Sequence, residues 1–326
     1  MKFSIIVPLI KESSYLNKLL DSIKNQSSSY ELEIILVSDI NLNIVKEKYN
    51  FDIKDLIFEG TPPKKRDFGF DNSNGEIIVF VDDDAYLPKN YLLNLFKLYQ
   101  NSNFDYCIVG PSLTPNDDNF ISKVSDYFFS SKFLFYFNER NKIIKKSFYV
   151  KDWPTVNFTI PRKIFIKVGK FSSDIWPGED TFLCNKIIKF KYKIQYSELI
   201  FNYHYRRNTL KSLCRQIFRY GLHRGILLKK LNINKSNFIF YFLISILIFL
   251  MLFTIVTFNL IFIKLFSLFY IFILFLGLIE MFYFNRNFKI FISLIMSPIL
   301  HSFYFIGLFK GIFKSFSNDH ISKLGR

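Results

Sequence analysis

Three consecutive carboxylates, Asp82, Asp83 and Asp84, end the run Gly75-Glu76-Ile77-Ile78-Val79-Phe80-Val81. Adjacent acids repel one another unless a cation or a ligand's donors offset them, so this position asks for a reason. Asp82 and Asp84 are two apart and can reach the same side of the chain as it leaves a strand. Oxygen donors so placed suit hard divalent ions such as Mg²⁺ and Mn²⁺, which commonly bridge to phosphates. Two readings stand for this stretch alone: a solvated acidic turn, or a metal–nucleotide site.

The elements that would position these acids follow from the apolar pattern. The β-branched run before Asp82 reads as a buried strand opened by Gly75. Ser4 to Val7 is a first such strand, closed by Pro8; Glu33 to Val37 is a second, with Ser38-Asp39 at its carboxyl end; Ile53 to Phe58 is a short third. Leu16, Leu19, Leu20 and Ile23 recur at helical spacing after Ser13 and Ser14 as caps, and Leu92, Leu95, Phe96 and Tyr99 mark another helix. Alternation of this kind predicts a parallel sheet with right-handed crossovers. Ligands of open α/β sheets sit beyond the carboxyl ends of strands, which here gathers Asp39 and Asp82–Asp84 along one edge. Thr61-Pro62-Pro63-Lys64-Lys65-Arg66-Asp67 reads as a basic loop free to approach that edge. Acids for a metal and cations for phosphates together lead us to expect a diphosphate-bearing ligand.

The chain has 326 residues and a formal net charge of +16, and the location of that charge says more than its size. No carboxylate occurs between Glu198 and Glu280, while Arg206, Arg207, Lys211, Arg215, Arg219, Arg224, Lys229, Lys230 and Lys235 fall in that gap. Leu210, Leu213, Cys214 and Ile217 share one helical face; Lys211, Arg215, Arg219 and His223 share another. Residues 206–236 therefore read as a basic juxtamembrane, interfacial helix on an anionic membrane, with cations such as Arg215 able to meet a lipid-linked phosphate. A solvated basic face is the alternative. Nucleic acid is the competing partner for a basic run, and the adjacent apolar segments argue against it.

From 237 onward the chain is almost continuously apolar. Residues 238–258 and 265–284 read as two membrane spans, and 288–309 as a third segment interrupted by Pro298 and His301. Lys229, Lys230, Lys235, Arg286 and Lys289 set the first start and the second turn inside. A third crossing would leave Lys310, Lys314, Lys323 and Arg326 outside, against that rule, so a re-entrant or interfacial course stays open. Cys107, Cys184 and Cys214 have no metal-ligand spacing and no disulfide framework. The N-terminal apolar run is too short for a signal peptide, so the expectation is a multi-pass membrane protein with its first domain in the cytosol.

In this order, strand-Pro8, Ser38-Asp39, Arg66-Asp67-Phe68-Gly69, Gly75-Glu76 and Asp82-Asp83-Asp84 resemble the family 2 glycosyltransferases. Further matching pieces are Asn157 before Pro161-Arg162, Val168-Gly169-Lys170-Phe171, Gly178-Glu179-Asp180, His204 with Arg206 and Arg207, Arg215-Gln216, Arg219-Tyr220-Gly221 and Arg224-Gly225. The resemblance covers residues 3 to 230, with a weaker echo at Gly307-Leu308-Phe309-Lys310-Gly311. It implies a GT-A α/β fold over 1–205 and a nucleotide-diphosphate sugar donor bound with Mg²⁺ or Mn²⁺. Asp39 would contact the base, Arg66 the diphosphate, Asp82 the ribose or metal, and Asp84 the metal. His204 would be an extra metal or phosphate contact. Glu12, Asn157, Glu179 and Arg207 fall in motif positions on the substrate side. Asp67 stands where the family usually has Asn, which sets a negative charge near the expected diphosphate.

Asp180 would be the general base in an inverting displacement, since an acceptor hydroxyl must lose its proton as it attacks the anomeric carbon. It also stands where a helix N-cap would serve the following Leu183, Ile187 and Ile188. Trp153 and Trp176 flank this region, and either could stack on a sugar or belong to the core. The resulting expectation is a membrane-anchored inverting glycosyltransferase acting on a lipid-linked or surface-glycan acceptor. Another metal-dependent nucleotidyl- or phosphotransferase, or a membrane scaffold with an inactive domain of this type, are the competing readings. No Gly-rich Walker loop supports the first, and the intact acids oppose the second.

Overall fold

The computed structural model describes residues 1–24, 26, 30–44, 48–49, 51–100, 102–135, 138–171, 176, 178–230, 260–284 and 287–313. They fall into two units, one holding Met1–Asp118 and Glu139–Arg206, the other Asn119–Asn138 and Arg207–Ser315. The sequence pattern gave no sign of a break at 119.

In the first unit, β1 (Lys2–Pro8), β2 (Glu31–Ser38), β3 (Asp52–Ile57) and β4 (Ile77–Val81) run parallel. The small strand β5 (Ala85–Tyr86) follows the acids. Then come β6 (Tyr106–Val109), β7 (Ser112–Leu113), β8 (Phe148–Val150), β9 (Asn157–Pro161), β10 (Lys193–Tyr196) and β11 (Asn202–His204). The main sheet has the order β3-β2-β1-β4-β9-β6-β10-β8, and β5-β11-β7 form a second sheet. β9 lies antiparallel between β4 and β6. The expected α/β architecture with a mostly parallel sheet is present.

Helices cover both faces because successive strand residues point to opposite sides. On one face Phe3, Ile5 and Val7 pack with Leu16, Leu19, Leu20 and Ile23 of α1 (Ser14–Lys24) and with Leu92 and Leu95 of α3 (Tyr91–Gln100). Ser13 caps α1, its Oγ accepting from the Leu16 N–H at 3.3 Å. On the other face Ile6, Val37 and Phe80 meet Phe70 of α2 (Pro62–Asp71), Ile164 of α5 (Arg162–Lys167) and Leu183 and Ile187 of α6 (Glu179–Lys189). Each such fully buried side chain stabilises the fold by about 1.5–3 kcal/mol.

The segment Thr61–Asp67, read as a basic loop, is largely helix: α2 begins at Pro62. Proline suits a first helical position, where its missing N–H would lack an intrahelical partner anyway. Gly69 lets α2 sit close on the sheet, since a Cβ there would lie 2.8 Å from Ile6 and 3.1 Å from Val37.

The second unit is helical: α4 (Phe120–Ser130), α7 (Leu210–Lys230), α8 (Leu260–Phe284) and α9 (Lys289–Phe313). α8 covers the expected second span, 265–284. The first, 238–258, lies outside the described residues, as do Lys235, Arg286, Lys314, Lys323 and Arg326. The third segment is not interrupted: α9 runs through Pro298 and His301 as one helix of 25 residues. Burial of its flanks explains this, because Ser297 and Leu300 are fully buried and hold the backbone where proline removes a hydrogen bond. Among the described residues, α9 is the helix long and apolar enough to cross a membrane, and α8 adds the shorter apolar stretch Ser267–Tyr283. Glu280 of α8 is tied down, accepting from Ser131 Oγ at 2.8 Å and the Lys132 N–H at 2.9 Å.

Candidate functional site

The parallel strands bring Asp39 and Asp82–Asp84 to one edge, as expected. α2 delivers two buried cations there. Lys65 Nζ lies 2.8 Å from Asp39 Oδ1, and Arg66 Nη2 lies 2.7 Å from Asp82 Oδ1. Arg66 reaches further, its Nη1 standing 3.2 Å from Glu179 Oε1. The sequence pointed these cations at a ligand's phosphates; the structure pairs both with protein carboxylates, because buried charges need partners. Asp67 also differs from its expected place: it accepts from the Phe171 N–H at 3.1 Å, and burial pushes its carboxyl up to about 6.

The acid triplet splits by environment. Burial, followed by the charges of Asp84 and Asp82, pushes Asp83 up to about 7. Asp82 and Asp84 are partly exposed. The second sheet brings His204 to them, since β11 pairs antiparallel with β5 in the register His204↔Ala85 and the Tyr205 N–H donates to Asp84 O at 2.9 Å. His204 Nε2 then stands 3.1 Å from Asp84 Oδ1. Burial opposes charge on that ring, but the Asp84 carboxylate outweighs it and the pKa is raised.

One ligand atom each from Asp82, Asp84 and His204 all lie within 4.8 Å of one another. Two carboxylate oxygens and an imidazole nitrogen, half-buried and converging, fit a divalent cation of the Mg²⁺ or Mn²⁺ kind. The three come from two separate strand ends, so their convergence is a property of the fold.

Asp180 is the second residue of α6, which Glu179 opens after Gly178, whose φ of 112° is a left-handed conformation that favours glycine. Its side chain does not cap its own helix. Instead it accepts from Thr155 Oγ1 at 2.7 Å. Burial raises its pKa, against the opposing pull of Arg66 and the Thr155 hydrogen bond. Glu179 is buried, and burial and then the Asp180 charge push its carboxyl up against the pull of Arg66.

The other expected residues separate. Glu12 is exposed in the loop after β1. Asn157 is fully buried; it accepts from the Tyr91 hydroxyl at 2.7 Å and donates to Ile200 O at 2.7 Å and Pro111 O at 3.2 Å. That corrects the expectation of substrate contact: its buried amide ties β9 to α3 and to the backbone at Pro111 and Ile200. Trp153 is likewise core, 1% exposed and donating to Gly110 O. Trp176 is half-exposed. Arg207 and Arg215 belong to the helical unit and are both exposed there.

Sequence reasoning missed Thr155 and a cluster around Tyr205. Tyr205 donates to Asp117 Oδ2 at 2.9 Å, Lys18 Nζ stands 2.6 Å from the same carboxylate, and Lys18 also bonds the Tyr205 hydroxyl. Lys18 Nζ lies 5.0 Å from the Tyr86 ring centroid and 4.9 Å from that of Tyr205. Burial would lower the Lys18 pKa, yet these hydrogen bonds raise it above the ordinary range. Adjacency to His204 was the one signal for Tyr205; nothing local marked Lys18 or Asp117.

A 28% identical relative over 194 residues is the Campylobacter jejuni GalNAc(5)-diNAcBac-PP-undecaprenol beta-1,3-glucosyltransferase, aligned over 56% of this chain and 59% of its own. A Methanococcus voltae relative is 25% identical over 248 residues, 70% of this chain and 74% of its own. It is the dolichyl N-acetyl-alpha-D-glucosaminyl phosphate 3-beta-D-2,3-diacetamido-2,3-dideoxy-beta-D-glucuronosyltransferase. The Staphylococcus aureus poly(ribitol-phosphate) beta-N-acetylglucosaminyltransferase TarS is 30% identical over 118 residues, and this chain spans only 21% of its length. The solved structure of S. aureus TarS 1-349 has a TM-score of 0.48 at 16% identity, over 73% of this chain and 68% of that one. Residues 4–169 match the family described as Glycosyl transferase family 2. The chain belongs to that family and is a glycosyltransferase.

Proposed function

We propose that this protein transfers a sugar from a nucleotide-diphosphate sugar, with inversion at the anomeric carbon, to a lipid-linked or surface-glycan acceptor. The observation that carries this reading is the convergence of Asp82, Asp84 and His204 within 4.8 Å, linked through Arg66 to the helix that bears Asp180. A cation site and a raised-pKa carboxylate then belong to one rigid edge, which suits a donor diphosphate beside an acceptor hydroxyl. Lipid-phosphate acceptors appear in the names of the C. jejuni and M. voltae relatives, and they motivate the acceptor class. The first unit would face the cytosol, and the apolar helices would hold the chain at a membrane.

In this reading Asp180 takes the proton of the acceptor hydroxyl as it attacks. Its burial keeps it basic, and Thr155 fixes the carboxylate's direction. Asp39 is directed to the donor's base. Arg66 holds Asp82 in place and, through Glu179, ties it to the start of the helix that bears Asp180. A Mg²⁺ or Mn²⁺ ion held by Asp82, Asp84 and His204 would offset the negative charge on the leaving diphosphate.

The test is binding of UDP and UDP-sugars to the purified full chain, with and without Mn²⁺, in the parent and in Asp84→Asn. The expected result is Mn²⁺-dependent binding that the variant loses together with turnover. Unchanged Mn²⁺-dependent binding in Asp84→Asn overturns the metal assignment. Turnover yielding a nucleotide monophosphate with a phosphorylated acceptor would instead favour a phosphotransferase.

A further inference from the structure

Length and composition would let α9 cross a bilayer, but its packing within the helical unit does not suit a crossing. On one side the middle of α9 is covered by protein, while Ile299 and Phe303 on the other side are exposed. Leu300 is fully buried, His301 Nε2 is 2.9 Å from Leu134 O, and the His301 ring centroid is 5.3 Å from that of Phe128. Phe128 belongs to α4, which also carries the half-exposed Lys123 and Asp126.

α7 lies along the other half of α9. A Cβ on Gly307 would stand 2.0 Å from Phe218 O, and one on Gly311 would stand 2.1 Å from Leu222 O. Reciprocally, a Cβ on Gly221 would stand 2.0 Å from Tyr304 O, and one on Gly225 2.3 Å from Leu308 O. Two glycines four apart on each helix thus let the backbones touch, in the manner of small-residue helix interfaces. The contacts advance together along both chains, 218 with 307 and 222 with 311, so the helices run parallel and share their depth.

That shared depth is the decisive point. Arg215 and Arg219 lie on α7, and Arg219 feels the charges of Arg215 and Arg207. Setting such cations at the centre of a bilayer is costly. Meanwhile α9 keeps an uncovered apolar stripe along its whole length: Phe291, Ile295, Ile299, Ile306, Phe309 and Phe313 are all exposed at spacings of one helical face. An apolar stripe on a helix bonded to a cationic one, with no carboxylate from Glu198 to Glu280, is complementary to an anionic lipid surface.

We propose that α9 does not cross the membrane but lies in its interface beside α7, its Phe291–Phe313 stripe seated in an anionic lipid surface that Arg207, Arg215 and Arg219 also contact. Both ends of α9 then face the same side, which also keeps Lys310 with the other cations.

The test uses the full chain in sealed vesicles of phosphatidylglycerol and phosphatidylcholine. Single cysteines at Ile295, Ile299, Ile306 and Phe309 carry an environment-sensitive fluorophore, read against lipids brominated at set depths. These side chains are exposed, so the variants should fold, and burial of Cys107, Cys184 and Cys214 keeps background labelling low. The expected result is one shallow depth at all four sites. An impermeant thiol reagent should also reach Asn287→Cys and Lys310→Cys from the same side. A depth maximum at Ile299, or labelling from opposite sides, overturns the proposal in favour of a crossing. Absence of lipid quenching at all four sites overturns it in favour of a protein partner on the stripe, such as a second copy.

Discussion

Glu179 Oε1 stands 3.2 Å from Arg66 Nη1 across 113 residues of sequence, and the same guanidinium holds Asp82 at 2.7 Å. One buried cation thereby joins the acid triplet to the helix of Asp180. Removing one partner of a buried pair leaves the other charge uncompensated, typically costing about 3–5 kcal/mol. Arg66→Met should lose stability of that order at about pH 9.5. Burial and then the Asp180 charge already push Glu179 up to about 8, and losing Arg66 raises it further. A raised acid destabilises above its unfolded pKa, and parent and variant differ only where the parent's Glu179 is ionised, so the deficit should shrink as pH falls through about 8 and be smaller at about pH 6. Thermal unfolding of parent and variant at both pH values checks this; an equal deficit at both would remove Glu179 from the account.

If Asp180 is the base, Asp180→Asn should lower transfer by about a hundred- to ten-thousand-fold and leave donor affinity near the parent value. Thr155→Val removes the hydrogen bond that lowers the Asp180 pKa. The base must be deprotonated to work, so the acid limb of the pH–rate profile should move to higher pH while the alkaline limb stays. A Thr155→Val profile superimposable on the parent's would deny Asp180 the role of base.

Glu33 gives a pH effect of opposite sign, away from the site. It is 1% exposed and accepts from Ser4 Oγ at 2.6 Å, the Gly75 N–H at 3.1 Å and Lys54 Nζ at 2.9 Å. Burial opposes ionisation, yet the Ser4, Asn74 and Lys54 hydrogen bonds outweigh it and hold the carboxyl at about 2. A depressed acid stabilises fully above its unfolded value near 4.5 and loses that stability as pH falls toward 2. Glu33→Gln should cost about 1–3 kcal/mol at pH 7 and flatten the acid slope between pH 4.5 and 2. Chemical denaturation across that window reads both effects.

The acids and strands were legible because each is a local pattern: an apolar run, then a change to charge. Asp82, Asp84 and Asp39 stand at strand ends for that reason, and His204 entered only through family motifs. What stayed hidden depends on partners far along the chain. Lys65 and Arg66 look like free cations in sequence, and only the fold brings Asp39, Asp82 and Glu179 to them. Asn157 matched a motif yet serves the core, because nothing in its neighbours reveals that Tyr91, Pro111 and Ile200 surround it. Thr155 and Lys18 carry no local signal at all. The break at 119 was hidden likewise: no boundary signal precedes Phe120, and Val124, Phe128 and Phe129 find their apolar partners far along the chain in α7, α8 and α9.

The glycines of the helical unit supply the last prediction, because distance separates two classes among them. A Cβ on Gly307 would sit 2.0 Å from the backbone oxygen of Phe218, and a backbone cannot rotate away. On Gly277 it would sit 3.1 Å from the Leu134 side chain, whose rotamer can yield by a few tenths of an ångström. Alanine also gains about 1 kcal/mol of helix propensity over glycine at either place. At Gly277 that gain roughly offsets the crowding, so Gly277→Ala should change stability little. At Gly307 the helices must separate, and overpacking typically costs about 1–3 kcal/mol or more. Gly307→Ala should therefore lower the unfolding temperature in detergent while Gly277→Ala leaves it within error. Gly225→Ala should behave like Gly307→Ala, and the double variant should cost less than the sum, since once the helices are apart the second Cβ meets less resistance. Additive losses would mean that the two glycines act at independent contacts and not in one shared backbone interface.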